Sequence, residues 1–216
     1  MLLAAERADV CAYARRMSAD RLVVGTSGNI SLRRDDLVAV TPTGIDYADL
    51  TPESITVLDL TGRRIDGDLA PTSETPLHLA LHRSRPDGIG AVVHTHAVHA
   101  TAASLLVDRI PPVHYVLAIF GGAVHVARYA TFGTAELAAR TLEALGDRTG
   151  CLLANHGAVT VGGNLAAAYD RALQLEWLCQ VWLTARAAGL PRPLPPGELD
   201  TVTELIRDYG AAGRER

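Results

Sequence analysis

From Leu2 to about Ser18 the apolar positions recur at near-helical spacing among alanines and arginines, which predicts a surface helix. The period then shortens. NISLR (29–33), LVAV (37–40) and ITVLDL (55–60) read as short strands, separated by turn signals at Asp35-Asp36, Pro42–Gly44 and Thr61-Gly62, so an antiparallel meander is expected. A helix is predicted over about 74–84, with Thr72 or Ser73 as its cap, Pro76 in its first turn and Arg85-Pro86 ending it. IGAVVHTH (89–96) reads as a strand, followed by an Ala-rich helix to about Leu106. The segment between Pro111-Pro112 and Gly121-Gly122 carries no clear period. VHVARYA (124–130) reads as a strand, and Gly133-Thr134 opens a helix that ends near Gly146. CLLANHGAVTVG (151–162) is a strand pair or one bent strand, and Asn164 caps a long helix over roughly 165–188. The Pro-rich LPRPLPPG then leads to a short helix and a polar tail from about residue 197. Helices intersperse with strands without a strict βαβ rhythm. The expected class is therefore α/β, a mainly antiparallel central sheet flanked by helices in one domain, 1–216.

Composition narrows the chemistry. The 216 residues are 48% hydrophobic, enough for a sizeable core, and the net charge of -4 gives no electrostatic reason to expect nucleic acid. No apolar run approaches the roughly 20 residues of a spanning helix, and Glu6, Arg7 and Asp9 fall too early for a signal peptide. Cys11, Cys151 and Cys179 are odd in number and far apart, which fits neither a disulfide framework nor a Cys-based zinc ribbon. A cytoplasmic protein with no membrane partner is expected. One absence matters more: the 20 basic side chains are all arginines, with no lysine. Side-chain Schiff bases, a P-loop lysine and covalently held pyridoxal phosphate are thereby excluded. Chemistry that needs an electron sink has to find it elsewhere, and a metal ion is the evident substitute.

The run VVHTHAVH (92–99) supplies candidate ligands. Alternate residues of a strand share a face, so His94 and His96 point the same way and can converge on one ion, whereas His99 lies at odd spacing. His78 and His82 stand four apart on a predicted helix but lack the HExxH glutamate, and a helix-surface or interface role is expected for them. A third ligand has to come from elsewhere in the chain. His156, just before a glycine, competes for that place with His114 and His125. Glu74 in PTSETP sits where the helix dipole favours an acid; beside a metal it would also serve as a fourth ligand and general base. The loops GTSGNIS (25–31) and TPTGI (41–45), with Thr72-Ser73, are small and hydroxyl-rich, suited to an anion if they gather in space.

These stretches, with RPD, IPPVHY, YATFGT, NHG and the closing RDYG, occur in the order and at about the spacing of the class II aldolase/adducin family, which the chain resembles along nearly its whole length. The resemblance implies that family's three-layer fold and one Zn2+ per subunit on His94, His96 and His156, with Glu74 as ligand and proton shuttle. It implies a phosphate pocket from Gly28, Asn29, Thr43, Gly44, Thr72 and Ser73; Thr72 stands where members often have serine, and the hydroxyl is kept. It implies a homotetramer with active sites at subunit interfaces, Tyr115 donated across a boundary to protonate an aldehyde oxygen, and Tyr209 in a mobile tail. The implied activity is reversible cleavage of a ketose 1-phosphate, such as L-fuculose 1-phosphate or a 5-deoxy-ketose 1-phosphate, to dihydroxyacetone phosphate and an aldehyde. Bulky VLAIF after Tyr115, if it lines the aldehyde side, would favour a small or apolar aldehyde. Pentulose-phosphate 4-epimerases and sugar-acid phosphate decarboxylases are the rival readings on the same fold. The epimerases tend to carry aspartate where Glu74 stands, and a non-catalytic adducin-like binding protein would be expected to lose the histidines.

Overall fold

A computed structural model of the chain describes the backbone of residues 1–212 and side chains as far as Ile206. Alternation along its strands decides which side chains reach which layer. The helices are α1 (Ala4–Ala19), α2 (Thr75–Ser84), α3 (Val98–Ser104), α4 (Ala135–Leu145), α5 (Leu165–Ala188) and α6 (Glu198–Ala212). The strands are β1 (Asn29–Arg34), β2 (Leu37–Val40), β3 (Thr56–Asp59), β4 (Arg64–Asp66), β5 (Ala91–Thr95), β6 (Val126–Ala127), β7 (Gly150–Leu153) and β8 (Gly157–Gly162). Among the described residues they form one sheet in the order β4-β3-β2-β1-β5-β8-β7-β6. Every pairing is antiparallel except β6 with β7. This is the expected class, a mainly antiparallel sheet between helical layers.

Period-two alternation sorts the core into two clusters. Ile30, Ala91, Val93, Leu152 and Ala158 pack into the larger cluster, with α1, α3 and α5. Val92, Cys151, Leu153, Val159 and Val161 pack into the smaller one, with α2 and α4. His94 follows Val92 by two and therefore faces α2. Asn29 and Ser31 flank Ile30 and face the same way. Register then fixes neighbours: β1 and β5 pair Asn29 with His94, and β5 and β8 pair Thr95 with Ala158.

Several boundaries depart from the sequence reading. The N-cap position of α2 is held by Glu74, not by Thr72 or Ser73, and its side chain makes no capping hydrogen bond. Thr72 instead accepts the Glu74 backbone N–H at its Oγ1, 3.3 Å away. His96 falls one residue past the end of β5, because its N–H leaves the ladder to bond Leu22 O at 3.0 Å. VHVARYA contributes only two strand residues, and the unassigned segment holds a 3-10 turn over Tyr115–Phe120. Strand β4 had no sequence signal, since Arg64–Asp66 is polar and short.

The β7–β8 turn is closed by a contact that only glycine permits. A Cβ on Gly157 would lie 2.1 Å from the Thr95 carbonyl oxygen. Gly157→Ala is therefore expected to force β5 and β8 apart and cost about 2 kcal/mol or more. Thermal melting would fall by at least ~4 °C; an unchanged melting temperature would refute the close-packing account.

Candidate active site

Three separated parts of the chain converge at the ends of the central strands, where β1, β5 and the β7–β8 turn meet. His94 ends the inward face of β5 and is fully buried. Its Nδ1 lies 2.9 Å from the Ala158 carbonyl oxygen, so this nitrogen must donate. That bond fixes the ring and turns Nε2 toward the site, where it lies 2.9 Å from His96 Nε2 and 2.9 Å from Glu74 Oε2. His156, raised on the β7–β8 turn after the left-handed Asn155 (φ 58), brings its Nε2 to 3.5 Å from Glu74 Oε1. The three imidazole centroids are 4.8 Å apart in every pair, with the rings steeply inclined to one another. One ligand atom from each of Glu74, His94, His96 and His156 falls within 4.8 Å of the others.

This arrangement can hold a metal ion, and its own chemistry tests the fit. His94 Nε2, His96 Nε2 and a carboxylate are all electron-rich groups, and between them only a proton or a cation makes the contacts favourable. Burial and the adjoining His94 push His96 down to about 3 and His156 to about 4, so both rings are neutral and carry free lone pairs. Burial opposes ionisation of Glu74, but the facing His94 and the Asn29 amide outweigh it and hold the carboxyl well below the usual range. Burial also opposes protonation of His94, and Glu74 more than offsets it, raising that ring. Glu74 Oε1 is buried without a hydrogen-bond partner among the described residues. Nitrogen and oxygen donors with an orphaned carboxylate oxygen are the donor set of a borderline divalent ion.

The metal-type cluster opens into a cavity of about 430 Å³ that is lined by Gly28, Asn29, Thr43, Gly44, Thr72 and Ser73, together with Glu74, His96 and His156. The small-residue loops thus gather on one wall, which the sequence could not show. Gly28 has φ +77, and a Cβ there would sit 2.9 Å from His94 O, so only glycine lets this loop lie against β5. Further lining residues were not foreseen: Tyr129, Ala130, Phe132 and Asn155 also border the cavity. Phe132 is 64% exposed, an apolar side chain left at the cavity rim. The run YATFGT was visible in the sequence, but nothing in its spacing tied it to the histidines.

Tyr115 does not reach this cavity in its own chain. It is 57% exposed and stacks on His114, with ring centroids 4.5 Å apart, beside Trp177. Of the VLAIF run, Val116, Leu117 and Phe120 belong to the larger core cluster, Ile119 packs against it, Ala118 is buried as well, and Val116 also borders the Tyr115 groove. Within its own chain this run anchors the 3-10 turn and does not line the cavity. The side chain of Tyr209 lies outside the described residues. His114 caps its turn by accepting the Val116 N–H, and His125 sits in an isolated bridge with Arg109, so neither joins the cluster. His99 bonds Glu176 at 2.6 Å and staples α3 to α5. His78 and His82 stay outside the metal-type cluster as expected, but they are not on the surface, being 1% and 0% exposed. Polar spacing at the helix end suggested solvent; the β1 face supplies polar partners instead.

Comparison with known proteins agrees with this geometry. Residues 8–183 match the family model described as Class II Aldolase and Adducin N-terminal domain. The chain is 38% identical over 212 residues to 5-deoxy-D-ribulose 1-phosphate aldolase of Bacillus thuringiensis serovar kurstaki, covering 97% of this chain and 99% of the relative. It is 41% identical over 210 residues to L-fuculose phosphate aldolase of Escherichia coli K12, covering 96% and 95%. A solved L-fuculose 1-phosphate aldolase superposes with a TM-score of 0.89 at 33% identity, covering 94% of this chain and 96% of that one.

Proposed function

The chain belongs to the class II aldolase and adducin family as an aldolase of the metal-dependent kind, and from that premise we propose a specific reaction and site. The substrate is a ketose 1-phosphate of the L-fuculose or 5-deoxy-ribulose type, cleaved reversibly between C3 and C4 to dihydroxyacetone phosphate and an aldehyde. The observation that carries this reading is the single cavity in which Glu74 and two imidazoles adjoin a lysine-free wall of small hydroxyl and glycine residues. The resident ion is Zn2+, held by His94, His96 and His156 with Glu74 as a displaceable fourth ligand. When bound, such a cation supplies Lewis acidity that takes up the negative charge developing on the substrate as the bond breaks.

The chain's own groups do the rest. The phosphate is received by Gly28, Asn29, Thr43, Gly44, Thr72 and Ser73, where hydroxyls and backbone N–H groups replace the absent lysine. In cleavage the C4 hydroxyl loses its proton, C4–O becomes a carbonyl and the C3–C4 electron pair passes to C3. Glu74 delivers a proton to C3, and in the reverse direction its carboxylate removes it. Exposure of Tyr115 in a groove away from its own cavity supports its service in the cavity of a neighbouring copy, within a homotetramer. There it accepts the C4 hydroxyl proton in cleavage and returns it in condensation. Tyr209 is proposed to reach the site from the tail. No helix among the described residues is long and apolar enough to cross a membrane, and we place the enzyme in the cytoplasm, as one domain.

Incubation of the zinc-loaded protein with L-fuculose 1-phosphate and with 5-deoxy-ribulose 1-phosphate tests the proposal. Dihydroxyacetone phosphate should appear from at least one. An epimerase would give an isomeric pentulose phosphate, a decarboxylase would release carbon dioxide from a sugar-acid phosphate, and a binding protein would give no product. Ser73→Ala should raise KM for the sugar phosphate about tenfold or more while kcat changes little, since one hydrogen bond to a charged group is lost. Equal KM values would remove Ser73 from the phosphate wall.

A further inference from the structure

Beneath Glu74 lies a buried polar series of which the proposed reaction uses only its first member, Asn29. Asn29 Nδ2 stands 3.0 Å from Glu74 Oε2, and Asn29 Oδ1 stands 2.5 Å from His78 Nε2. His78 Nδ1 is 2.7 Å from Ser31 Oγ, which is 2.8 Å from His82 Nε2. His82 Nδ1 ends the series, 3.2 Å from the Ile89 carbonyl oxygen. Asn29, Ser31, His78 and His82 are each 5% exposed or less. Two come from one face of β1 and two, four residues apart, from one face of α2. Polar groups so placed cost stability unless they are fully paired, and an apolar interface would fold more simply.

The proton inventory of this series allows one direction. An ionised Glu74 Oε2 only accepts, so the amide nitrogen of Asn29 must face it and Oδ1 must face His78. Asn29 Oδ1 also only accepts, so His78 carries hydrogen on Nε2. Burial pushes His78 down to about 3, so its ring is neutral and Nδ1 is a bare acceptor for the Ser31 hydroxyl. The Ile89 carbonyl oxygen only accepts, so His82 Nδ1 donates to it at 3.2 Å, and burial, which holds His82 near 4, keeps that ring neutral with Nε2 bare toward Ser31 Oγ. Ser31 stands between two bare ring nitrogens with one hydrogen, and the shorter contact, 2.7 Å to His78 Nδ1, takes it. Donation therefore runs from Ser31 through His78 and Asn29 to Glu74. Oε2 is occupied by the Asn29 N–H and the His94 side, while Oε1 is left without a partner among the described residues.

We propose that His78, oriented by Ser31, is a positioning residue for the reaction: it holds the Asn29 amide with its N–H on Glu74 Oε2, so that Oε1 is the oxygen that exchanges the substrate proton. This rests on the reading of Glu74 as the proton-transfer group. Loss of the His78 donor frees Asn29 to turn its carbonyl toward the carboxylate, which rotates or protonates Glu74 and disturbs the phosphate wall that Asn29 shares.

Zinc-loaded H78Q, H78N, H78L and E74Q proteins separate the possibilities. The readouts are kcat and KM for ketose cleavage, exchange of the C3 hydrogen of dihydroxyacetone phosphate into D2O followed by NMR, and melting temperature. Glutamine places an N–H near the position of His Nε2, whereas asparagine reaches only that of Nδ1. H78Q is expected within about threefold of the wild-type exchange rate, while H78N and H78L fall by about 10- to 100-fold. H78N and H78Q should melt alike. Exchange in H78N equal to that in H78Q, or losses that simply track melting temperature, would overturn the relay. If E74Q exchanges hydrogen normally, the proton-transfer reading of Glu74 fails and the relay with it; if only E74Q loses exchange, the relay alone fails. Should the His78 variants not fold, a neutron structure of the zinc-loaded wild type decides. Hydrogen on His78 Nε2, with the Ser31 hydroxyl aimed at His78 Nδ1, supports the proposal; a bare His78 Nε2 refutes it.

Discussion

Glu74→Gln is expected to reduce kcat for cleavage by about 10²- to 10⁴-fold. Glutamine preserves the size of the side chain and one carbonyl oxygen, but it cannot take a proton from carbon or return one. The surroundings are arranged for an anion. Asn29 donates to Oε2 at 3.0 Å, His94 lies 2.9 Å from the same atom, and Oε1 has no hydrogen-bond partner among the described residues. The loss should appear in kcat with a smaller change in KM, because the phosphate wall is untouched. Metal content measured on the same sample separates loss of the base from loss of a ligand. Turnover within tenfold of wild type, with the ion retained, would show that another group moves the proton.

Stripping the protein with a strong chelator is expected to remove aldolase turnover altogether, and zinc should restore it. The reasoning starts from composition. With no lysine, the chain has no side-chain amine to withdraw electrons through an iminium, so the charge that develops on cleavage must be met by a cation. Borohydride added with substrate should leave the mass of every peptide unchanged. A reduced substrate adduct, or full turnover after complete removal of the ion, would overturn the metal-dependent scheme. The same treatment should lower the melting temperature, because three imidazole nitrogens and a carboxylate within 4.8 Å then face one another without a central charge.

Both expectations concern residues named from sequence, yet they were legible to different degrees. His94 and His96 stood out because two imidazoles at alternate positions of an apolar run have few structural explanations. The absence of lysine was equally plain. His156 competed with His114 and His125, since nothing local distinguishes a histidine before glycine from one in a turn. Register made the difference: Gly157 lies against Thr95 with no room for a Cβ, which carries His156 beside His94. His78 and His82 were misplaced on the surface for a related reason. Helical spacing shows that two side chains share a face and is silent on what that face meets, and here it meets Asn29 and Ser31. The role of VLAIF stayed conditional in the sequence because a bulky apolar run can line a site or anchor a turn, and periodicity does not separate the two.

The amino-acid order by itself determined what needs only local physics. Strand and helix periods, the caps at Thr134 and Asn164, the donor types available and the exclusion of amine catalysis all follow from neighbours in the chain. The tertiary structure alone decided which distant groups share a cavity, which nitrogen of His94 is bound to the Ala158 carbonyl, and which oxygen of Glu74 lacks a hydrogen-bond partner among the described residues. Those outcomes depend on strand register and on the packing of α2 across β1. Both are set by contacts between residues tens of positions apart, where a shift of one residue would turn every polar side chain to the opposite layer.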